Sequence, residues 1–156
     1  MASDARFGIE LYDSAAGSQE VDGETTTVVG HVWSLDAERI VRAGDGRILI
    51  IDPSGANPTL LNRNLGATQG FLEAFRLFYL GDRPPVAAKM TVGEARARLT
   101  ALQRGETLSE QVVPARATRG ERVATLLDDL RAQDPAAVAP GTWWSRILQR
   151  PEFDPA

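Results

Sequence analysis

Apolar and polar positions alternate along the first part of the chain, and this pattern predicts a series of β-strands. Phe7, Ile9 and Leu11 lie two residues apart, so they share one face of an extended segment. Residues 25–35 are rich in β-branched side chains and apolar on both faces, which is typical of a central strand covered on both sides. Residues 13–24, between these segments, are small, polar and turn-forming, so they are predicted to be a loop.

Two further apolar runs predict a hairpin followed by a short strand. The first run ends at residues 40–41, and the second covers residues 48–51. The turn at residues 44–46 reads Gly-Asp-Gly, and these residue types accept the positive φ angles of tight turns. Residues 59–61 add another short strand. This regular succession of strands and turns predicts an antiparallel meander.

Helical spacing replaces the strand period after Asn64. Apolar residues then fall three or four positions apart, which predicts a helix from about residue 68 that ends at Gly81. Two later helices are each predicted to open with a capping box, a threonine followed three positions on by a glutamate. The pairs are Thr91 with Glu94 and Thr118 with Glu121. Strands first and helices afterwards predict one α+β domain over residues 1–156, with a mostly antiparallel N-terminal sheet packed by C-terminal helices.

Residues 142–149 predict a short terminal helix that carries two adjacent tryptophans. Thr142 suits the N-cap because its side-chain oxygen can accept a backbone N–H. Adjacent helical positions point about 100° apart, so one indole is predicted to enter the core and the other to lie along its rim. Stacking on a ligand or docking on a partner is the alternative role for the pair. The predicted structural core consists of large aromatic residues, namely Trp33, Phe71, Phe75, Trp143 and Trp144.

The charge distribution indicates which partners the chain favours. The 156 residues carry a formal charge of −4, which argues against binding to nucleic-acid phosphates. Residues 1–24 form an acidic strand and loop with six acids and one base, and such a segment attracts basic partners by electrostatic steering. The chain starts without a basic and apolar leader and has no apolar run of membrane-spanning length, so we expect a cytoplasmic protein without membrane contact.

Residue types that commonly carry catalysis are sparse. The chain has no cysteine, which excludes disulfides, thiol nucleophiles and cysteine-bound metals. His31 is the only histidine, which excludes paired-histidine metal sites, and we interpret it as packed in or at the edge of the sheet. Asp45 and Asp52 lack the spacing of a calcium loop and are interpreted as turn residues. We therefore predict a binding module with no catalytic residue, metal or cofactor; a small hydrolase using His31 with an aspartate is the less favoured alternative.

Three stretches, in this order, carry a resemblance to a known family: GDGRILIIDPSG, LLNRNLGATQGFLEAFRLF and WWSRILQ. The first is a glycine-rich turn leading into a strand. The second is a strand, then Asn-x-x-Leu, then a helix with phenylalanines on its core face, and the third is a tryptophan-rich terminal helix. Together they resemble the immunity proteins of the SUKH superfamily, in particular its fourth, actinobacterial subgroup. The resemblance implies a bacterial α+β protein that neutralises a polymorphic toxin, often a nuclease or deaminase, by occluding it.

The resemblance also implies a protein partner, and a toxin that handles nucleic acid tends to be basic around its site. The family has no catalytic residues to carry over. Contact candidates in this chain are acids chosen for their charge and expected exposure, namely Glu20, Asp22, Glu24, Asp36 and Glu38. The alternative function is a structural or scaffolding subunit of a larger bacterial assembly, in which the terminal tryptophans dock on a neighbouring chain. The toxin and the oligomeric state are left open.

Overall fold

The computed structural model describes residues 2–34, 36–82, 91–105 and 117–154. These residues form an α+β fold with an antiparallel sheet followed by helices, which confirms the predicted fold class. The strands are β1 (Ala2–Asp4), β2 (Ile9–Leu11), β3 (Ser18–Val21), β4 (Glu24–Val32), β5 (Glu38–Arg42), β6 (Ile48–Ile51) and β7 (Thr59–Asn62). The helices are α1 (Leu65–Leu80), α2 (Val92–Gln103), α3 (Arg119–Gln133) and α4 (Trp143–Leu148), and a 3₁₀ turn follows at Pro151–Phe153.

The longest strand, β4, lies at the centre of the sheet. The strand order is β1-β2-β4-β5-β6-β7, and β3 also pairs with β4. Thr27 of β4 pairs with Arg42 of β5 and with Ser18 of β3, so β3 lies on the edge of β4 away from β5. The other end of that same edge pairs with β2. One edge of β4 is therefore shared by two short strands, one after the other.

Strand β3 lies within residues 13–24, where the sequence pattern predicts a loop, and this part of the prediction is wrong. The two residues between β3 and β4 are Asp22, with φ of 50°, and Gly23, with φ of 82°. Two successive positive φ angles characterise the type I′ turn, whose twist matches that of the paired strands. The Asp-Gly pair is the sequence signal for this hairpin. The prediction missed it because β3 consists mostly of polar residues.

The main core fills the space between one face of the sheet and helices α1, α3 and α4. Phe71 and Phe75 of α1 are fully buried in it. Helix α1 begins at Leu65, earlier than predicted, because the Asn64 side chain accepts a hydrogen bond from the Ala67 N–H at 2.8 Å and caps the first turn. A smaller apolar cluster, formed by Val21, Val41 and Ile51, lies on the second face of the sheet.

Both terminal tryptophans are buried in the main core. Thr142 caps α4 as predicted, and Trp144 is fully buried, stacked on Phe75 with ring centroids 5.1 Å apart. Trp143 is only 7% exposed and meets Trp144 edge to face at 4.8 Å. The rim position predicted for the second indole is therefore wrong. The reason is Phe7, which precedes β2 and lies against both indoles, with ring centroids 6.4 Å from Trp143 and 5.7 Å from Trp144.

Trp33 does not belong to the core, so the prediction that it is a structural core residue is wrong. Strand β4 ends at Val32, and the next residue, Trp33, has φ of 64° and a residue exposure of 65%. The alternation of strand faces ends where the backbone leaves the extended conformation. The pattern that predicted burial therefore does not apply beyond Val32.

The two later helices differ in how they use their apolar residues. Helix α3 has the predicted Thr118–Glu121 capping box and buries Val123, Leu126 and Leu130. Helix α2 instead exposes Val92, Leu99 and Leu102. The capping box predicted for α2 involves the Glu94 side chain, which lies outside the described residues. No helix among the described residues is long and apolar enough to cross a membrane.

Candidate partner-binding surface

The five acids predicted to contact a partner fall into two groups. Glu20, Asp22 and Glu24 lie at the β3–β4 hairpin, and all three are exposed. Exposed Asp36 and half-buried Glu38 lie after the opposite end of β4. Strand β4 has nine residues, and at about 3.3 Å per residue its two ends are roughly 26 Å apart. The structure therefore does not bring the five acids into one patch.

A groove opens beside the tip of the β3–β4 hairpin, on the second face of the sheet. Its volume is about 280 Å³. Apolar side chains from three hairpin segments line it together with two of the predicted acids. The lining residues are Val21, Asp22, Glu24, Thr26, Ala43, Arg47, Leu49, Pro58 and Leu60. Glu20 alternates with Val21 along β3, so its side chain points away from the groove.

Asp22 and Glu24 supply two negative charges to the groove, and Arg47 supplies one positive charge. Among the described residues neither forms an ion pair, whereas the Arg47 guanidinium is held by Asp45. The Arg47 N–H donates to Asp45 at 3.0 Å, and this hydrogen bond, with that from the guanidinium, holds the pKa of Asp45 below its usual value. The groove thus combines an apolar floor with an acidic rim.

Asp45 and Asp52 serve their own turns, as interpreted from the sequence. The Asp52 carboxylate accepts hydrogen bonds from the Ser54 hydroxyl at 2.6 Å and from the Ser54 and Ala56 N–H groups. These bonds lower the pKa of Asp52, and the bond from the Ser54 hydroxyl has the largest effect. Within the described ranges no three His, Asp or Glu side chains are grouped so that they could hold a metal ion.

His31 lies on the second face of the sheet within a small polar cluster. Its Nδ1 atom is 2.9 Å from the Tyr12 hydroxyl, and its Nε2 atom is 3.8 Å from Glu10 Oε2. Burial, reinforced by the Glu10 carboxylate, raises the pKa of Tyr12, so the Tyr12 hydroxyl is protonated and can donate to Nδ1. The His31 side chain is 11% exposed and offers little surface to a substrate. Among the described residues, the polar side chains close to the imidazole nitrogens are those of Tyr12 and Glu10. The hydrolase alternative instead pairs His31 with an aspartate.

A second groove, of about 600 Å³, lies between α3 and the C-terminal segment. Leu127, Val138 and Leu148 contribute apolar surface, and Arg131 and Arg150 contribute positive charge. Asp154 also lines this groove, and Arg131 is paired with Asp128, so its charge is mixed and lacks the acidic excess that would suit a basic partner. Neither groove was found by sequence reasoning, because each one is lined by side chains from several elements that only tertiary packing brings together. The Asp-Gly turn at residues 22–23 is the one local signal that points to the first groove.

Comparison of the chain with protein-family models, with curated proteins and with solved structures finds no match. The resemblance to SUKH immunity proteins therefore remains a prediction that rests on the three quoted stretches.

Proposed function

We propose that this protein is an immunity protein that binds and neutralises a toxin domain with a basic surface, such as a nuclease or a deaminase, in the bacterial cytoplasm. The observation that supports the proposal is the groove at the β3–β4 hairpin. Its apolar floor and its two acids, Asp22 and Glu24, together match the chemistry of a long basic side chain. Neither acid forms an ion pair with another residue that the structure describes. No catalytic role is assigned to the protein in this proposal.

An arginine or lysine side chain suits such a groove because it combines an aliphatic stem with a charged head group. The aliphatic stem can cover the apolar floor while the charged head reaches the rim. A guanidinium that meets a carboxylate forms charge-assisted hydrogen bonds, which are roughly twice as strong as neutral ones. The charge of the N-terminal segment adds long-range attraction, which raises the association rate more than it slows dissociation. Recognition of a basic toxin surface follows from both effects.

The test is a charge reversal in the groove, Asp22→Lys with Glu24→Lys, in cells that also express a nuclease or deaminase toxin domain from which the unsubstituted protein protects them. A matched control is Asp128→Lys with Asp129→Lys, which makes the same change in net charge on the exposed face of α3. We expect the groove variant to lose protection and to bind the purified toxin at least about tenfold more weakly, since truncating a close interfacial charge pair costs about 2–5 kcal/mol. The control should protect fully. Full protection by the groove variant would refute the assignment of this surface.

The second candidate is a structural subunit of a larger assembly. The terminal tryptophans do not support this role, because both indoles are buried in the core of their own chain. The apolar stripe of Val92, Leu99 and Leu102, exposed on α2, favours this role. Light scattering at micromolar concentration separates the two candidates. A stable monomer counts against the structural role, whereas a defined oligomer that Leu99→Gln dissociates would support it.

A further inference from the structure

Trp33 is a large apolar residue that the fold keeps at the surface. Its exposure of 65% contrasts with the burial of Trp143 and Trp144. Trp33 follows the last residue of β4, and its N–H donates to the Gly8 carbonyl at 2.7 Å. An indole is amphipathic and rigid, with two side-chain torsions, which makes tryptophan a frequent energetic anchor of protein interfaces.

The position of the Trp33 indole is fixed by its backbone and by Gly8. The φ of 64° at Trp33 is an outlier for a bulky residue. The ring lies so close to Gly8 that a Cβ at that position would overlap it. Gly8, itself at φ of 66°, supplies both the free space and the backbone conformation. The fold thus holds an exposed aromatic ring in one place, and the conformation that does so is disfavoured for tryptophan.

Two acids follow Trp33, one in the connection from β4 to β5 and one at the first position of β5. Exposed Asp36 and half-buried Glu38 follow Trp33 within five residues, and neither forms an ion pair in the part of the chain that the structure describes. Arginines do lie over aromatic rings elsewhere, Arg6 over Tyr79 and Arg119 and Arg122 over Phe78. Among the described residues no such cation lies over Trp33.

We propose that Trp33 is an anchor that receives an arginine side chain from a protein partner, with Asp36 and Glu38 attracting its charge. The indole face attracts a guanidinium through its quadrupole, and the two carboxylates complement the same positive charge. The acids disfavour the phosphates of a nucleic acid, which could otherwise stack bases on an exposed indole. The inference rests on the proposed function in one respect, that the partner presents a basic surface. It adds a second contact point, at the end of β4 opposite the acidic groove.

A titration of the ¹⁵N-labelled protein tests the chemistry directly, because the three indole N–H signals are separable by NMR. The probe is acetyl-Gly-Arg-Gly-amide, and its control is the same peptide with uncharged citrulline. We expect the Trp33 signal to move with the arginine peptide only, while the buried Trp143 and Trp144 signals stay fixed. Asp36→Asn with Glu38→Gln should weaken the effect about two- to fivefold. No movement, an equal response to citrulline, or a response to an oligosaccharide instead would overturn the inference.

The second test measures binding of the Trp33→Gly variant to the same toxin domain. Circular dichroism should show that this variant is folded, because glycine adopts the required φ freely. We expect this variant to lose at least about tenfold in toxin affinity, as interface anchors do. Loss of binding in the Asp22→Lys/Glu24→Lys variant but not in Trp33→Gly would overturn the Trp33 inference alone and support the proposed function. Loss in Trp33→Gly alone would support the anchor and refute the role of the groove.

Discussion

Trp144 connects α4, the sheet and α3 through a buried hydrogen-bonded chain, and replacing it by phenylalanine should be costly. Its Nε1–H donates to Asn62 Oδ1 at 3.1 Å, and the Asn62 amide donates to the Asp134 carboxylate at 3.3 Å. Asn62 is fully buried. Without the indole N–H, its Oδ1 atom would lose this donor, and bulk water could not replace it. An unsatisfied buried acceptor costs about 1–3 kcal/mol, and the smaller ring leaves a cavity worth about 1 kcal/mol more.

The expected destabilisation by Trp144→Phe is therefore about 2–4 kcal/mol, a large fraction of the 5–15 kcal/mol typical of a domain. Urea unfolding followed by far-ultraviolet circular dichroism measures it without relying on tryptophan fluorescence. The matched control is Trp33→Phe, the same substitution at an exposed site, which should change stability by no more than about 0.5 kcal/mol. The reasoning is refuted if the two variants have unfolding free energies within about 0.5 kcal/mol of each other at equal m-values.

Two further predictions concern Gly8 and the cap of α3. Gly8→Ala should destabilise the protein by about 1–3 kcal/mol through overlap with the Trp33 ring and backbone strain. The destabilisation should be smaller in the Trp33→Gly background, and the same urea titration measures both. Equal destabilisation in the two backgrounds would contradict this prediction. The Thr118 N–H lowers the pKa of Glu121 below its usual 4.5, so its stabilisation is present above that pH and is lost as the pH falls through the folded-state pKa. The melting temperature of Glu121→Ala should accordingly fall less between about pH 5 and 3 than that of the unsubstituted chain, whereas parallel curves would exclude this linkage.

Some parts of the fold could be predicted because they depend on contacts close in sequence. The caps at Thr118 and Thr142 are hydrogen bonds within three residues, so the residue types alone indicate them. The hairpin of β5 and β6 follows in the same way from alternating side chains on either side of a Gly-Asp-Gly turn.

The sequence alone determined the α+β character and most of the elements, because strand and helix periods are local properties of the chain. Only the tertiary structure decided that Trp33 lies in solvent, since β4 ends one residue earlier and the alternation of faces ends with it. It also decided the burial of Trp143 beside Phe7, residues separated by nearly the whole chain. The acidic groove depends on how three hairpin segments pack together, and packing between separate segments has no periodic signal within any one of them.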